Sequence, residues 1–261
     1  MPFTAKLLMI SPWLLLILIN ATFIAFSLII AVIIKLCFPY EMRKSHNDVA
    51  TAIFTRAAAI FSIMLAFVVV LLWQQYHRAA DNALKEGKEA VQLYRDLRIY
   101  PDKEQAAPAV KALLEFVRSV IEEEYPAMGQ MRTSPDTEQD MNNLSVSLAK
   151  IQAKNPQEQM LFARMLRNLD NLSNLRDNRL MDMDSSLPDI LWAAILIGGG
   201  VTIIFSNFLG AEKFWLHALF TALLVIIIAT TVFLIIELDY PFMGVICAKP
   251  TSYIKLLQTI K

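Results

Sequence analysis

Four long stretches of this sequence are too apolar to serve as parts of an ordinary water-soluble core. They are Pro12 to Ile34, Ala57 to Trp73, Pro188 to Leu209 and Phe214 to Ile236, and they hold nearly all of the Leu, Ile and Val excess. A helix over the 23 residues from Pro12 to Ile34 rises about 34 Å, enough to cross a hydrocarbon layer of about 30 Å. The stretches lie in two pairs at the ends of the chain, with a charged middle of about 110 residues between them. The sequence therefore predicts an all-α integral membrane protein, with four transmembrane helices and a helical cytosolic domain inserted between spans 2 and 3. The expected divisions are residues 1–78, a helix pair; 79–187, the helical domain; and 188–261, a hairpin and tail.

Composition narrows the function classes. The chain is 56% hydrophobic and 18% charged, against the roughly one-quarter charged that is usual for soluble domains. Formal net charge is zero and the basic residues form no dense run, so no nucleic-acid partner is expected. Cys37 and Cys247 are far apart in sequence and suggest neither a disulfide framework nor a metal site. The sequence has no HExxH, no GxSxG and no phosphate-binding loop, so no enzyme, catalytic residue, metal or cofactor is expected. The first apolar stretch exceeds the 7–15 residues of a signal-peptide core and no small-residue cleavage site follows it, so it reads as a first span.

A few polar groups lie within or beside the spans. Asn20, with Thr22 and Ser27, suits interhelical or backbone hydrogen bonds. Arg56 falls about two turns inside span 2 if that helix begins near Val49, where it either snorkels to the headgroups or faces a wet interior. Asn207 and His217 flank the short connection between spans 3 and 4, which forces an antiparallel hairpin able to bring them together. Structural hydrogen bonding and proton or ion sensing are both open for this pair. Glu237 and Asp239 close span 4, Asp239 either capping the Pro241 turn or serving as a carboxylate in a channel vestibule. Gly198-Gly199-Gly200, near the middle of span 3, permits close helix approach or a kink.

Between the spans the pattern stays helical. Span 2 meets no breaker until Gly87, and the helical pattern survives it to residue 98 or so, making one long helix from about residue 49. Asn47 or Asp48 is its expected N-cap. A second helix runs from Lys103 or Ala107 to Tyr125, and Glu122-Glu123-Glu124 reads as a solvated acidic patch. Residues 125–140 look least ordered. Helices then resume over 141–152 and 156–179, the latter with Arg164, Arg167, Asp170, Arg176 and Asp177 on its polar side. Tyr240 to Gly244 reads as a turn with aromatics at the interface, followed by a short helix over 252–260. Four crossings put both termini and the middle domain on one side, and the balance of Lys and Arg near the spans favours the cytoplasm as that side of the inner membrane.

Three separated motifs add a resemblance. His46-Asn47-Asp48 opening span 2, Leu187-Pro188 with Trp192, and Asp239-Pro241-Phe242-Gly244 are similar to the bacterial bestrophin-like family, formerly a domain of unknown function. The likeness to bestrophins implies a homo-oligomer, five copies being favoured, in a lipid bilayer, conducting inorganic ions with anions foremost. It implies that span 2 surrounds the axis. The gate candidates on one face of that span are Phe54, Ala58, Phe61, Leu65 and Leu72, with Arg56 near the entrance. The chain is shorter than the animal bestrophins, and nothing in it matches their acidic calcium clasp. The competing expectation is a non-conducting membrane assembly or sensing protein acting through its helical domain.

Overall fold

The computed structural model describes residues 2–210 and 213–260, and its regular structure is entirely helical. In chain order the helices are α1 (Phe3–Leu7), α2 (Pro12–Cys37), α3 (Tyr40–Ser45), α4 (Asn47–Ile99), α5 (Lys103–Ser119), α6 (Tyr125–Met128), α7 (Pro135–Ala149), α8 (Pro156–Met183), α9 (Asp189–Phe208), α10 (Phe214–Asp239) and α11 (Thr251–Ile260). A π-helical turn, Val120–Glu124, joins α5 to α6. Helices α2, α4, α9 and α10 are long and apolar enough to cross a membrane. Two residues of the predicted connection between spans 3 and 4, Ala211 and Glu212, lie outside the described residues.

Contacts divide the chain into two compact units, Met1–Gln74 with Ser186–Asp239, and Gln75–Ser185 with Tyr240–Lys261. In the first, α10 packs against α2 and α9. It buries Thr221, Val225, Ile228 and Val232, a spacing of three and four residues that places them on one face. Small polar groups complete the seam: Asn207 Nδ2 donates to Ser27 Oγ at 3.2 Å and to the Ile203 carbonyl at 2.9 Å. Much of the opposite surface is large and apolar, with Trp13 75%, Ile197 67% and Phe220 65% exposed. A water-soluble unit would bury such side chains, whereas lipid accommodates them without loss.

The second unit is built on a conventional core of Leu93, Leu97, Leu113, Phe116, Leu144 and Leu172, into which Tyr253 of α11 also inserts. Residues 240–261, grouped in the sequence reading with the membrane hairpin, thus belong to this unit. Tyr240 and Phe242 are buried in it rather than displayed at an interface, Phe242 lying edge-on to Tyr125 at 6.1 Å. The segment expected to be least ordered holds α6 and the start of α7, whose first turn is capped by Ser134 Oγ accepting from Thr137 N–H. Helix α5 is capped in the same way by Asp102, which accepts from Gln105 N–H at 3.2 Å.

Two sequence expectations fail at one place. Glu122 and Glu123 are exposed as anticipated, but Glu124 is fully buried, and Arg176 and Arg179 are buried with it. Arg179 donates to Glu86 (Nε 2.5 Å, Nη2 3.0 Å) and to Glu124 (2.5 Å), while Arg176 donates to Glu124 at 2.6 Å and to Glu138 at 2.6 Å. Tyr253 OH donates to Glu86 at 2.8 Å. Burial alone would raise the Glu124 carboxyl, but the Arg179 and Arg176 guanidiniums outweigh it and hold the group below the usual carboxylate range. Burial, then the nearby Glu86 carboxylate, pushes the Tyr253 phenol well up, so its hydroxyl remains a donor. The partners lie on α4, α7, α8, α11 and the π turn, and no local periodicity in α8 could have distinguished a paired buried arginine from a solvated one.

Candidate functional site in the membrane unit

Helix α4 is where the sequence placed the gate. Its apolar run is apolar on every face, so periodicity alone cannot say which face meets the protein and which remains free. The structure shows both. Phe61, Leu65, Val68 and Leu72 are buried within the protomer, Leu72 completely. Phe54 stacks on Phe205 of α9 with ring centroids 6.1 Å apart, and Ala58 is half-buried beside them.

The face is set by a glycine. A Cβ built on Gly198 of α9 would lie 2.6 Å from Phe61 Cδ2 and 2.8 Å from Cε2, whereas one on Gly200 would meet nothing. Only Gly198 of the triple glycine is therefore required for this close approach, and α9 runs unbroken through all three. With the Phe61 ring seated there, the candidates Phe54, Ala58, Phe61, Leu65 and Leu72 turn inward. The opposite stripe is exposed: Arg56, Ala59, Ile63, Phe67, Val70 and Gln74, at helical spacings of three and four residues. Ile63 is 58% and Phe67 71% exposed.

Charge singles out the same stripe. No Asp, Glu, Lys or Arg occurs in residues 12–34, 190–208 or 214–236, but α4 carries Arg56 with its side chain exposed. Its guanidinium makes one long hydrogen bond, 3.4 Å, to the Ala52 carbonyl of its own helix. The exposed stripe thus presents a cation at one end, large apolar side chains in the middle and the Gln74 amide at the other.

The remaining polar candidates face inward. Asn20 Nδ2 donates to the Leu16 carbonyl at 2.9 Å. His217 is half-buried and within hydrogen-bonding reach of the Asn207 backbone, so the hairpin does bring this pair together. Glu237 and Asp239 are buried. Asp239 Oδ1 accepts from Leu187 N–H at 2.6 Å, with Trp192 and Thr4 within reach of the same carboxylate. The carboxylate therefore ties the end of α10 to the entry of α9.

The sequence reading missed Asn47 as a clamp. Asn47 Nδ2 donates to the Gly210 carbonyl and Asn47 Oδ1 accepts from Gly210 N–H, both at 2.7 Å. Of the two side chains expected as alternatives for capping α4, Asn47 and Asp48, the first is spent instead on the segment just beyond α9. Among the described residues no group of His, Cys, Asp and Glu is arranged to hold a metal ion.

Residues 21–253 match the model of the bestrophin-like domain. Crystal structures of a bacterial bestrophin homolog from Klebsiella pneumoniae are similar in fold. A point mutant of it is 13% identical, covering 94% of this chain and 98% of its own with a TM-score of 0.70. The form solved by zinc phasing is 14% identical, covering 93% and 97% with a TM-score of 0.67. A crystal structure described only as a membrane protein is 13% identical, covering 93% and 97% with a TM-score of 0.69. A search of the curated proteins found no match. The family match reaches into both units and takes in three of the membrane-length helices whole and the greater part of α2, and this multi-pass membrane protein belongs to the bestrophin-like family of oligomeric membrane channels.

Proposed function

We propose that this chain forms an anion-preferring channel as a homo-oligomer, five copies being the number its resemblance implies, with the exposed stripe of α4 lining the axis. The observation that carries this reading is that stripe's composition. It sets a charged residue, Arg56, well inside a membrane-length helix rather than in its end turn, in line with the bulky exposed side chains of Ile63 and Phe67. Lipid facing would leave an arginine in hydrocarbon, which is unfavourable unless it reaches headgroups or water.

In this reading the constriction lies at Ile63 and Phe67. A ring of such side chains repels water and closes by dewetting until the gap widens. Phe61 and Leu65 support the helix from behind. Arg56 raises the local concentration of anions at one mouth. Glu237 and Asp239, both buried, supply no opposing acidic ring.

The test is ion flux through purified protein in liposomes under set chloride and potassium gradients. Phe67→Ala and Ile63→Ala are expected to raise flux, Arg56→Gln to lower chloride preference, and Phe61→Ala to act on thermal stability before it acts on flux. No flux above empty liposomes in any of these proteins would overturn the channel reading in favour of a non-conducting assembly. Flux that responds to Phe61→Ala but not to Phe67→Ala would overturn the assignment of the face.

A further inference from the structure

In the second unit a cleft of about 530 Å³ opens between α4 and α11. Leu84 and Val91 of α4 and Leu256 of α11 give it an apolar wall, and its charged groups are Lys88, Arg95 and Lys255. Gln92, Tyr94, Ser252 and Thr259 complete the lining with neutral polar groups. No carboxylate lines it, and among the described residues none of the three cations has a salt-bridge or hydrogen-bonding side-chain partner.

Three like charges gathered from two helices around one cleft repel each other. The helices are nonetheless held together nearby. Ser252 Oγ donates to the Leu84 carbonyl at 3.3 Å and Tyr253 OH to Glu86 at 2.8 Å, and Gly87 sits directly against Ser252 Cβ with no room for a side chain of its own. These contacts fix the start of α11 on α4 and so keep Lys255 facing Lys88 and Arg95 across the opening.

A larger cleft of about 660 Å³ beside α5 also has basic residues, Arg98, Lys103, Lys111 and Arg118, but is partly self-neutralised. There Lys111 pairs with Glu115 and Lys103 donates to the Arg98 carbonyl. The α4–α11 cleft has no such internal partner.

We infer that the cleft between α4 and α11 binds an anionic headgroup carried on a short apolar chain, with Lys88, Arg95 and Lys255 around the head and Leu84, Val91 and Leu256 along the chain. The planar guanidinium of Arg95 matches a carboxylate or phosphate through paired N–H donors, and the two ammoniums add point charges. A bare inorganic anion would leave the apolar walls wet, whereas an amphiphile covers them. The headgroup chemistry is shared by fatty-acid carboxylates and lipid phosphates. This inference stands apart from conduction and does not rest on it.

The experiment is calorimetric titration of the full chain in non-ionic detergent with hexyl phosphate, hexanoate and inorganic phosphate. The same titrations are run on the Arg95→Gln/Lys255→Gln double variant and on Arg118→Gln. All variants share the detergent, so partition into micelles cancels, and the substituted residues are exposed, so elution as the same oligomer is expected. At least one amphiphile should bind, with the double variant weaker by about tenfold or more, as removal of charge-assisted hydrogen bonds implies. Arg118→Gln should bind as the parent does, and inorganic phosphate should bind more weakly than hexyl phosphate. Tighter binding of hexyl phosphate than of hexanoate would assign the head to a phosphate source, and the reverse to a carboxylate. Absence of binding by both amphiphiles, equal binding by the double variant, or inorganic phosphate matching hexyl phosphate would each overturn the proposal.

Discussion

Asn47 and Gly210 exchange two hydrogen bonds of 2.7 Å, the side-chain amide of one residue pairing with the N–H and carbonyl of the other. The pair joins the first residue of α4 to the segment just beyond α9. Gly210 has little room of its own: a Cβ there would lie 3.1 Å from Lys44 N. Asn47→Ala removes both bonds at once, and a loss of about 1–3 kcal/mol is expected from the unpaired backbone groups. Asn47→Asp keeps the acceptor and should fall between. Thermal unfolding of the purified variants in detergent checks the order.

Gly198 and Gly200 should respond differently to the same substitution. Gly198→Ala meets the Phe61 ring and is expected to destabilise by about 1–3 kcal/mol, the usual range for overpacking. Gly200→Ala has open space and should be neutral or slightly favourable in a helix. Adding Phe61→Leu to Gly198→Ala should recover part of the loss. Independent additivity of the two changes would show that Gly198 and Phe61 do not meet.

Arg179 is fully buried between two carboxylates, so its removal is more damaging than its presence is stabilising. Arg179→Met leaves Glu86 and Glu124 buried without it, and a loss of about 3–5 kcal/mol is expected for breaking such a pair. Arg179→Lys cannot supply the same fork of donors and should recover only a fraction. Denaturant unfolding monitored by far-ultraviolet circular dichroism of the full chain measures both.

The Glu124 carboxyl is held below its ordinary value in the folded state. Such a group binds its proton more readily when unfolded, at about the reference value of 4.3. Its contribution is therefore complete above that reference and lost as pH falls through the lower folded value. Stability of the second unit should decline in acid below about pH 4. Glu124→Gln should flatten that part of the profile while lowering the neutral-pH plateau. A profile of unchanged shape would mean that other carboxylates set the acid limit.

Asp239 accepts from Leu187 N–H at 2.6 Å inside the membrane unit. Asp239→Asn retains an acceptor oxygen and should preserve much of the stability, whereas Asp239→Ala should lose about 1.5–3 kcal/mol, the range for a hydrogen bond to a charged group. Thermal unfolding in detergent distinguishes them. Equal loss in the two variants would point to the charge, rather than the Leu187 bond, as the stabilising feature.

All three motifs that carried the resemblance find a direct physical role, Asn47 of the first clamping Gly210. Leu187 and Trp192 come from one, Asp239 from another, and they converge on a single carboxylate. The helix boundaries were legible for the same reason that the spans were: long apolar runs end where charged or proline-bearing segments begin. The orientation of α4 was not legible, because a helix apolar all round has no preferred face until a neighbour supplies one. Gly198 supplies it, by admitting the Phe61 ring where any larger residue would not. The short helices α1 and α3 and the π turn were also unpredicted, since each is too brief to leave a periodic signal.

From sequence alone, four apolar segments of membrane length and a polar middle determined the class of protein, the number of spans and the helical character of the rest. Those properties follow from local hydrophobicity and length, which each segment carries by itself. Tertiary structure alone decided which side of α4 is buried, that Glu124, Arg176 and Arg179 form an interior ion-pair network, and that the tail packs into the second unit. Each of these depends on partners far apart in the chain, and a charged residue reads the same in sequence whether water or an opposite charge satisfies it.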